Sequence, residues 1–275
     1  VYQDMNNDGA RAPASEGGIA NTLVTLDGTS LLGDAVSRVS VTNLYGFYTF
    51  GDLPAGAYDI HAFQPLGYLD GLEGIGSLGG LVGNDTFTVT YGAGQYGSEY
   101  NFGELPPASI QGTVYLDING DAQQQNGEPG LPAVTLSLVG VNDLGATVSA
   151  MATTGGYGSF SFSGLRPGTY TITESQPEGY TDGNETVGAL GGSVIGPDTI
   201  AAIPLGVGAA AYNYRFGESQ IGLGGLAYRD TDGDGFRDPF DPVLPGVTLI
   251  LTGTPTVGAP ITRTAQTDVF GFYRF

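Results

Sequence analysis

The sequence predicts an all-β chain built as a tandem array of β-sandwiches, and three observations predict it. Short segments alternate apolar and polar residues with period two, as in SIQGTVYLD at residues 109–117, and no segment shows helical periodicity. Glycine (48) and proline (16) supply frequent turns, while 16 Tyr and 13 Phe supply the aromatic area of folded cores rather than of a disordered chain. One acidic loop also recurs at fixed spacing. It reads Asp4-Met5-Asn6-Asn7-Asp8-Gly9, then Asp117-Ile118-Asn119-Gly120-Asp121, then Asp230-Thr231-Asp232-Gly233-Asp234-Gly235, with its first Asp every 113 residues.

The period divides the 275 residues into units 1–106, 107–219 and 220–275. The first begins inside its opening strand, and the third is the N-terminal half of a unit. Unit two sets the element order. Its opening strand leads into the acidic loop, followed by AVTLSLVG (133–140) and ATVSAMATT (146–154), which pair across Val141-Asn142-Asp143. Next, GSFSFSG places Phe160 and Phe162 on one face, and the turn Leu165-Arg166-Pro167-Gly168 leads into TYTITES with Tyr170 and Ile172 inward. A Gly-rich run then precedes a strand at 198–205, and AYNYRFGE (211–218) closes the unit. Unit one repeats these signals at Gly46 to Phe50, Leu53 to Tyr58, Pro65 to Tyr68 and Tyr100 to Glu104. About seven short strands between Gly/Pro turns read as a sandwich, and a unit of this size buries its own core. The joins are short, and Pro106-Pro107 stiffens the first, so an extended rod is expected. Val1 aligns with Val114, and Phe275 falls mid-unit. The expectation is a segment of a longer chain; the alternative is strands supplied by a neighbouring subunit.

Eight Arg against 28 acidic residues give a net charge of −20, with no lysine and no cysteine. Such a chain repels phosphate backbones and attracts divalent cations, and it lacks the basic patch of a nucleic-acid binder. Disulfides cannot staple the units, and no segment reads as a membrane span or a signal peptide, so export is inferred.

Oxygen side chains at alternate loop positions, with glycine to let the chain turn, are what Ca²⁺ requires. Expected ligands in unit two are Asp117, Asn119, Asp121, the carbonyl of Gln123, and Glu128. Unit one offers Asp4, Asn6, Asp8, the carbonyl of Ala10, and Glu16, one position late. Unit three offers Asp230, Asp232, Asp234, the carbonyl of Phe236, Asp238 and Asp241; its larger carboxylate count predicts the tightest binding. Ala122 stands where the other loops have glycine, which predicts local strain. The alternative is an Asx-rich turn that satisfies its own backbone. With calcium near 100 times its dissociation constant, each site contributes about 2.7 kcal/mol.

The ordered set GTVYLDINGD (112–121), Glu128-Pro129-Gly130-Leu131-Pro132, AVTLSL, Tyr157 to Phe162, Leu165 to Tyr170 and Pro177 to Tyr180 resembles the B-type repeats of SdrD-like bacterial surface proteins. These are related to the Cna-B sandwiches of adhesins. The resemblance covers essentially the whole chain. It implies Ig-like/Cna-B-like sandwiches that are exported, bind calcium and act as rod-forming spacers. Many Cna-B domains carry a Lys–Asn isopeptide bond promoted by an acid; Glu174 stands where that acid belongs, but without lysine the bond cannot form.

Other candidates are weaker. His61 is the only histidine, which excludes a Ser-His-Asp arrangement repeated in each unit. Asp70 with Glu73, and Glu174 with Glu178, read as solvated loop charges rather than as an acid–base pair. Asn84-Asp85-Thr86 and Asn184-Glu185-Thr186 fit the glycosylation sequon at similar phases of the repeat. Tyr91, Tyr96 and Tyr100 are candidates for stacking on sugars, with sheet-face packing the default. The reading is a non-enzymatic, exported structural protein whose calcium-stabilised repeats associate with neighbours along a surface rod or filament. The alternative is an adhesin or carbohydrate/matrix-binding module using Gly/Tyr-rich loops.

Overall fold

The computed structural model describes residues 1–220, 222–254 and 260–275. It divides into two compact units, Val1–Glu178 with Asp182–Ser219, and Gly179–Thr181 with Gln220–Phe275. Among the described residues every regular element is a strand.

The first repeat contains β1 (Tyr2–Gln3), β2 (Leu23–Ser30), β3 (Ala35–Val41), β4 (Gly56–Ala62), β5 (Leu69–Gly74), β6 (Leu81–Gly83), β7 (Thr86–Tyr91) and β8 (Asn101–Leu105). They form a five-stranded sheet, β3-β2-β4-β7-β6, and a three-stranded sheet, β1-β8-β5. On β4 the period-two pattern turns Tyr58, Ile60 and Ala62 inward, where they join Val24, Leu26, Phe87 and Phe102 in one core. Phe87 and Phe102, from opposite sheets, meet at 4.7 Å between ring centroids. Burying each such side chain contributes about 1.5–3 kcal/mol.

The second repeat contains β9 (Ala108–Leu116), β10 (Thr135–Asn142), β11 (Thr147–Thr153), β12 (Ser159–Leu165), β13 (Gly168–Glu174), β14 (Thr181–Thr186), β15 (Ser193–Gly196), β16 (Thr199–Leu205) and β17 (Ala210–Ser219). Its sheets run β11-β10-β13-β16-β15 and β12-β9-β17-β14. Phe160, Phe162, Tyr170 and Ile172 are buried, as the alternation predicts. In both repeats the opening and closing strands pair in parallel, Tyr2 opposite Gly103 and Phe216 opposite Val114. Parallel pairing sends both strands toward the same end of the sandwich, where the acidic loop begins.

Two side-chain straps recur. Tyr58 donates to the carbonyl of Pro54 (2.6 Å) and Tyr170 to that of Arg166 (2.8 Å), which explains the shared turn-to-tyrosine spacing. Buried Thr154 accepts from the Val134 amide (2.9 Å) and donates to the Leu131 carbonyl (2.6 Å). Thr42 and Thr267 make the same pair of bonds in their own repeats.

Within the first unit the two repeats touch directly. Arg166 forks onto Asp143 (2.7 and 3.0 Å), and its remaining nitrogen donates to the carbonyl of Asp70 (2.7 Å). Asn7 also donates to Asp143 (3.2 Å), and the Gly208 amide donates to the carbonyl of Pro106 (3.0 Å).

The second unit holds β18 (Gly224–Leu226), β19 (Thr248–Gly253), β20 (Ile261–Gln266) and β21 (Phe272–Arg274), paired as β18-β21 and β19-β20. These pairings match β9-β12 and β10-β11 of the second repeat.

The Gly-rich runs contain more structure than the sequence reading assigns, since β5, β6, β14 and β15 all lie within them. Glycine is required there by close backbone approach. A Cβ on Gly71 would lie 2.5 Å from the carbonyl oxygen of Gly103, and one on Gly183 would lie 2.2 Å from that of Gly217. These residues mark strands packed hard against β8 and β17 rather than loops.

Candidate functional site

Each acidic loop leaves the opening strand and folds over its first carboxylate. Asp4 is fully buried and accepts from the amides of Asn6 (3.3 Å), Asp8 (3.3 Å) and Gly9 (2.9 Å). Asp117 accepts from Gly120 (2.7 Å) and Ala122 (2.9 Å), and Asp230 accepts from Gly233 (2.7 Å) and Gly235 (2.9 Å). At the seventh position, Ala10, Gln123 and Phe236 donate their amides to Asp8, Asp121 and Asp234 at 2.8, 2.9 and 2.8 Å.

The closing acid is a backbone clamp in all three loops. Glu16 accepts from Met5 (3.1 Å) and Ala12 (2.7 Å), and Glu128 accepts from Ile118 (3.0 Å) and Gln125 (2.9 Å). Asp241 accepts from Thr231 (2.9 Å) and Asp238 (3.2 Å), and Asp238 itself caps Phe240 (2.7 Å). An oxygen that accepts one amide keeps a second lone pair, so clamping is compatible with ligation.

The loops differ in how well they fit a cation. In the third, oxygens of Asp230, Asp232 and Asp234 all lie within 4.8 Å of one another, the spread expected of ligands about 2.4 Å from a shared calcium. In the first two, an amide nitrogen stands against the position-five carboxylate, Asn6 on Asp8 (2.8 Å) and Asn119 on Asp121 (3.2 Å). Hydrogen bonding favours the ionised form of three loop acids. The Gln125 amide lowers the Asp121 carboxyl, the amides of Gly235 and Gly233 lower Asp230, and the Thr231 hydroxyl and amide lower Asp241.

Ala122 adopts φ +61°, in the left-handed region where Gly9 (φ +71°) and Gly235 (φ +84°) sit in the other loops. The expected strain is therefore present.

A second set of acids, buried or half-buried apart from the exposed Asp182, lies outside the loops, and sequence reasoning missed it. In the second repeat, oxygens of Glu174, Asp198 and Glu218 lie within 4.8 Å of one another, as do those of Asp182, Glu185 and Asp198. The first repeat gathers Asp70, Glu73 and Asp85 in the same way. Asp70 and Glu73 therefore lie on β5, partly buried and facing a third carboxylate, rather than as solvated loop charges. Glu174 occupies the inward row of β13 after Tyr170 and Ile172, and Ala62 holds that place on β4. The legible signal was Asp-Gly-x-Glu at residues 70–73 and 182–185, 112 residues apart.

These acids hold protons strongly. Burial, reinforced by the charges of Glu218 and Asp198, pushes Glu174 up to about 9. Burial pushes Glu104 up to about 8 and Glu218 up to about 7, each opposed in part by a glutamine amide, from Gln64 and Gln176 respectively. Asp70, Glu73, Asp85, Glu185 and Asp198 are also raised, burial first.

Of the tyrosines considered for sugar stacking, Tyr91 packs edge-on against Tyr58, and Tyr100 is buried with its hydroxyl on the carbonyl of Gly79 (2.8 Å). Tyr96 remains exposed. His61 lies on β4 with its ring against Phe63 at 4.7 Å. The two sequons occupy different places, the first between β6 and β7 and the second in β14.

The model of the SdrD B-like domain family matches residues 1–81 and 108–192, more than half of the chain. The chain belongs to the SdrD B-like domain family. Across its whole length it is 29% identical to serine-aspartate repeat-containing protein F of Staphylococcus epidermidis, covering 16% of that protein. It is 28% identical to serine-aspartate repeat-containing protein D of Staphylococcus aureus strain Newman, covering 20% of it. The chain thus spans about a fifth or less of the curated relatives it matches. Among solved structures it resembles the minor pilin of Streptococcus agalactiae (14% identity, TM-score 0.31, 80% of this chain and 92% of that one). It also resembles the Bacillus anthracis TIE protein (17%, TM-score 0.32, 95% of this chain and 41% of that one). SdrD B-like membership places the chain outside the cell, at the bacterial surface, as a structural or adhesin-associated module.

Proposed function

We propose that this SdrD B-like segment is a calcium-stabilised spacer, whose tandem sandwiches form a surface rod or an extracellular filament. One observation carries the reading. In both complete repeats the amide of the loop's first Asp is bonded to the closing strand of the same sandwich, Asp4 to the carbonyl of Glu104 (2.9 Å) and Asp117 to that of Glu218 (2.8 Å). A calcium held by the loop therefore ties opening strand, loop and closing strand at the end where one repeat hands over to the next. With no lysine and no cysteine, cross-links of the isopeptide or disulfide kind are not open to this chain. Metal and hydrogen-bonded strands then bear the load. The acidic surface keeps such an assembly soluble.

The test is thermal melting and negative-stain imaging of the full chain in calcium and then in EGTA. A fall in melting temperature with shortened or softened particles supports the spacer. Unchanged melting and unchanged particles leave the loops as self-satisfied Asx turns and defeat the reading.

A further inference from the structure

We propose that each complete repeat holds a second calcium site, separate from the acidic loop and lying between the two sheets of its sandwich. In the second repeat Glu174, Asp182, Glu185, Asp198 and Glu218 form it, and in the first Asp70, Glu73, Asp85 and Glu104. The residues come from both sheets. Glu174 ends β13 and Asp198 sits in the turn joining β15 to β16, all in the five-stranded sheet. Asp182 and Glu185 lie on β14 and Glu218 on β17, in the four-stranded sheet.

Orphaned oxygens point to a ligand. Glu174 is 4% exposed, and neither of its carboxylate oxygens has a hydrogen-bond partner. Glu218 and Glu104 are fully buried, and each leaves Oε1 without a partner. Asp198 and Asp70 each leave Oδ1 without one. Buried carboxylates require a counter-charge or a proton. Among the described residues no arginine side chain bonds to any of these carboxylates; the one ion pair is Arg166 with Asp143.

The remaining oxygens are held in a repeated pattern. Gln64 donates to Glu104 Oε2 (2.5 Å), and Gln176 makes the same bond to Glu218 Oε2. The amide of Asp85 donates to Glu73 (2.9 Å), and that of Asp198 donates to Glu185 (3.2 Å). One oxygen of Glu104, Glu218, Glu73 and Glu185 is thus fixed from behind, as ligands are oriented, while Glu104 and Glu218 each keep a second oxygen without a partner. The same construction in both repeats argues against chance.

The donor set selects the ion. It is entirely carboxylate, with no histidine or cysteine, which disfavours zinc. Four or five carboxylates in an irregular array suit the six to eight oxygens of calcium better than the strict octahedron of hydrated magnesium. Burial first, and mutual repulsion after it, raise their proton affinity, and a divalent ion offsets the repulsion.

The experiment is equilibrium dialysis of the full chain against calcium, with a magnesium arm, in three forms: wild type, Asp4→Asn/Asp117→Asn/Asp230→Asn to disable the loops, and Glu174→Gln/Glu218→Gln with the loops intact. The loop variant is expected to keep about two calcium ions per chain, one for each complete repeat, and the glutamine variant to lose about one. A second readout covers misfolding of the loop variant. Glutamine at Glu174 and Glu218 relieves repulsion, so this variant melts higher than wild type in EGTA while gaining fewer degrees from calcium. Retention of the wild-type calcium count and calcium-induced shift by the glutamine variant overturns the proposal, leaving protonated carboxyls. Equal uptake of magnesium overturns the choice of ion. Failure of the loop reading alone looks different: the loop variant then matches wild type in count, and the glutamine variant still loses calcium.

Discussion

Replacing Ala122 with glycine should stabilise the second repeat, although it removes a methyl group. At φ +61° an L side chain costs about 1–2 kcal/mol relative to right-handed backbone. Glycine avoids that cost but raises the entropy of the unfolded chain, which offsets about 0.5–1 kcal/mol. The methyl is partly exposed, so little packing is lost. The amide bond to Asp117 (2.9 Å) and the bond from the Thr186 hydroxyl to the Ala122 carbonyl (2.7 Å) involve backbone that glycine retains. The net expectation is a gain of about 0.5–1 kcal/mol, or a rise of about 2–5 °C in the transition of a sandwich this size. Scanning calorimetry of the full chain, with saturating calcium and again with EGTA, measures it. A gain in both conditions locates the strain in the loop backbone. An unchanged or lowered transition in both refutes the argument, because the left-handed alanine would then carry no penalty. The converse substitution Gly9→Ala should cost about 1–2 kcal/mol, since its Cβ would also meet that of Leu72 at 3.3 Å.

Three further outcomes follow from the same geometry. Glu104, Glu174 and Glu218 are raised from their ordinary 4.5 to about 8, 9 and 7, so the folded chain binds more protons than the unfolded one across that window. Stability in EGTA should therefore fall as pH rises from about 5 to 9, and calcium should flatten the slope, as melting curves at successive pH values will read. Thr154→Val leaves the Val134 amide and the Leu131 carbonyl buried without partners, and urea unfolding should show a loss of about 1–3 kcal/mol. Tyr170→Phe removes only the bond to the Arg166 carbonyl, and the same assay should show a loss of about 1 kcal/mol.

The alternating strands of the second repeat were legible because one face of each is buried and the other wet, as Tyr170 and Ile172 show against Thr169 and Thr171. The acidic loops were legible because every ligand candidate lies within one short stretch of chain. Strands β5 and β14 were not. LDGLEG and TDGNET have no apolar alternation, and their glycines are set by contact with Gly103 and Gly217 on neighbouring strands. The carboxylate clusters stayed hidden for a related reason. Their members are spread over residues 174–218 and 70–104, and only the folded sheets bring them together. The Thr154 and Tyr170 straps join side chains to backbone carbonyls, which leave no trace in residue type.

The loop and the buried cluster share a strand, which bears on how a spacer stiffens. The Thr186 hydroxyl on β14 holds the carbonyl of Ala122, while Asp182 and Glu185 on the same strand face Asp198. In the first repeat Gly9 packs against Leu72 and Glu73 of β5, whose Asp70 carbonyl receives Arg166 from the second repeat. Such a strand, TDGNET on β14 or LDGLEG on β5, has few apolar side chains of its own to keep it in the sheet. Repulsion among its carboxylates works to detach it, and charge neutralisation at either end works to hold it. If the two proposed sites take calcium, filling one would order the strand that the other requires, and calcium uptake within a repeat should be cooperative. The inter-repeat bond from Arg166 lies on the same strand, which gives that ordering a route to the join. A calcium isotherm with a Hill coefficient above one in wild type, reduced by Thr186→Val, is the expected result. Independent, non-cooperative filling in both forms would sever the link between the two sites.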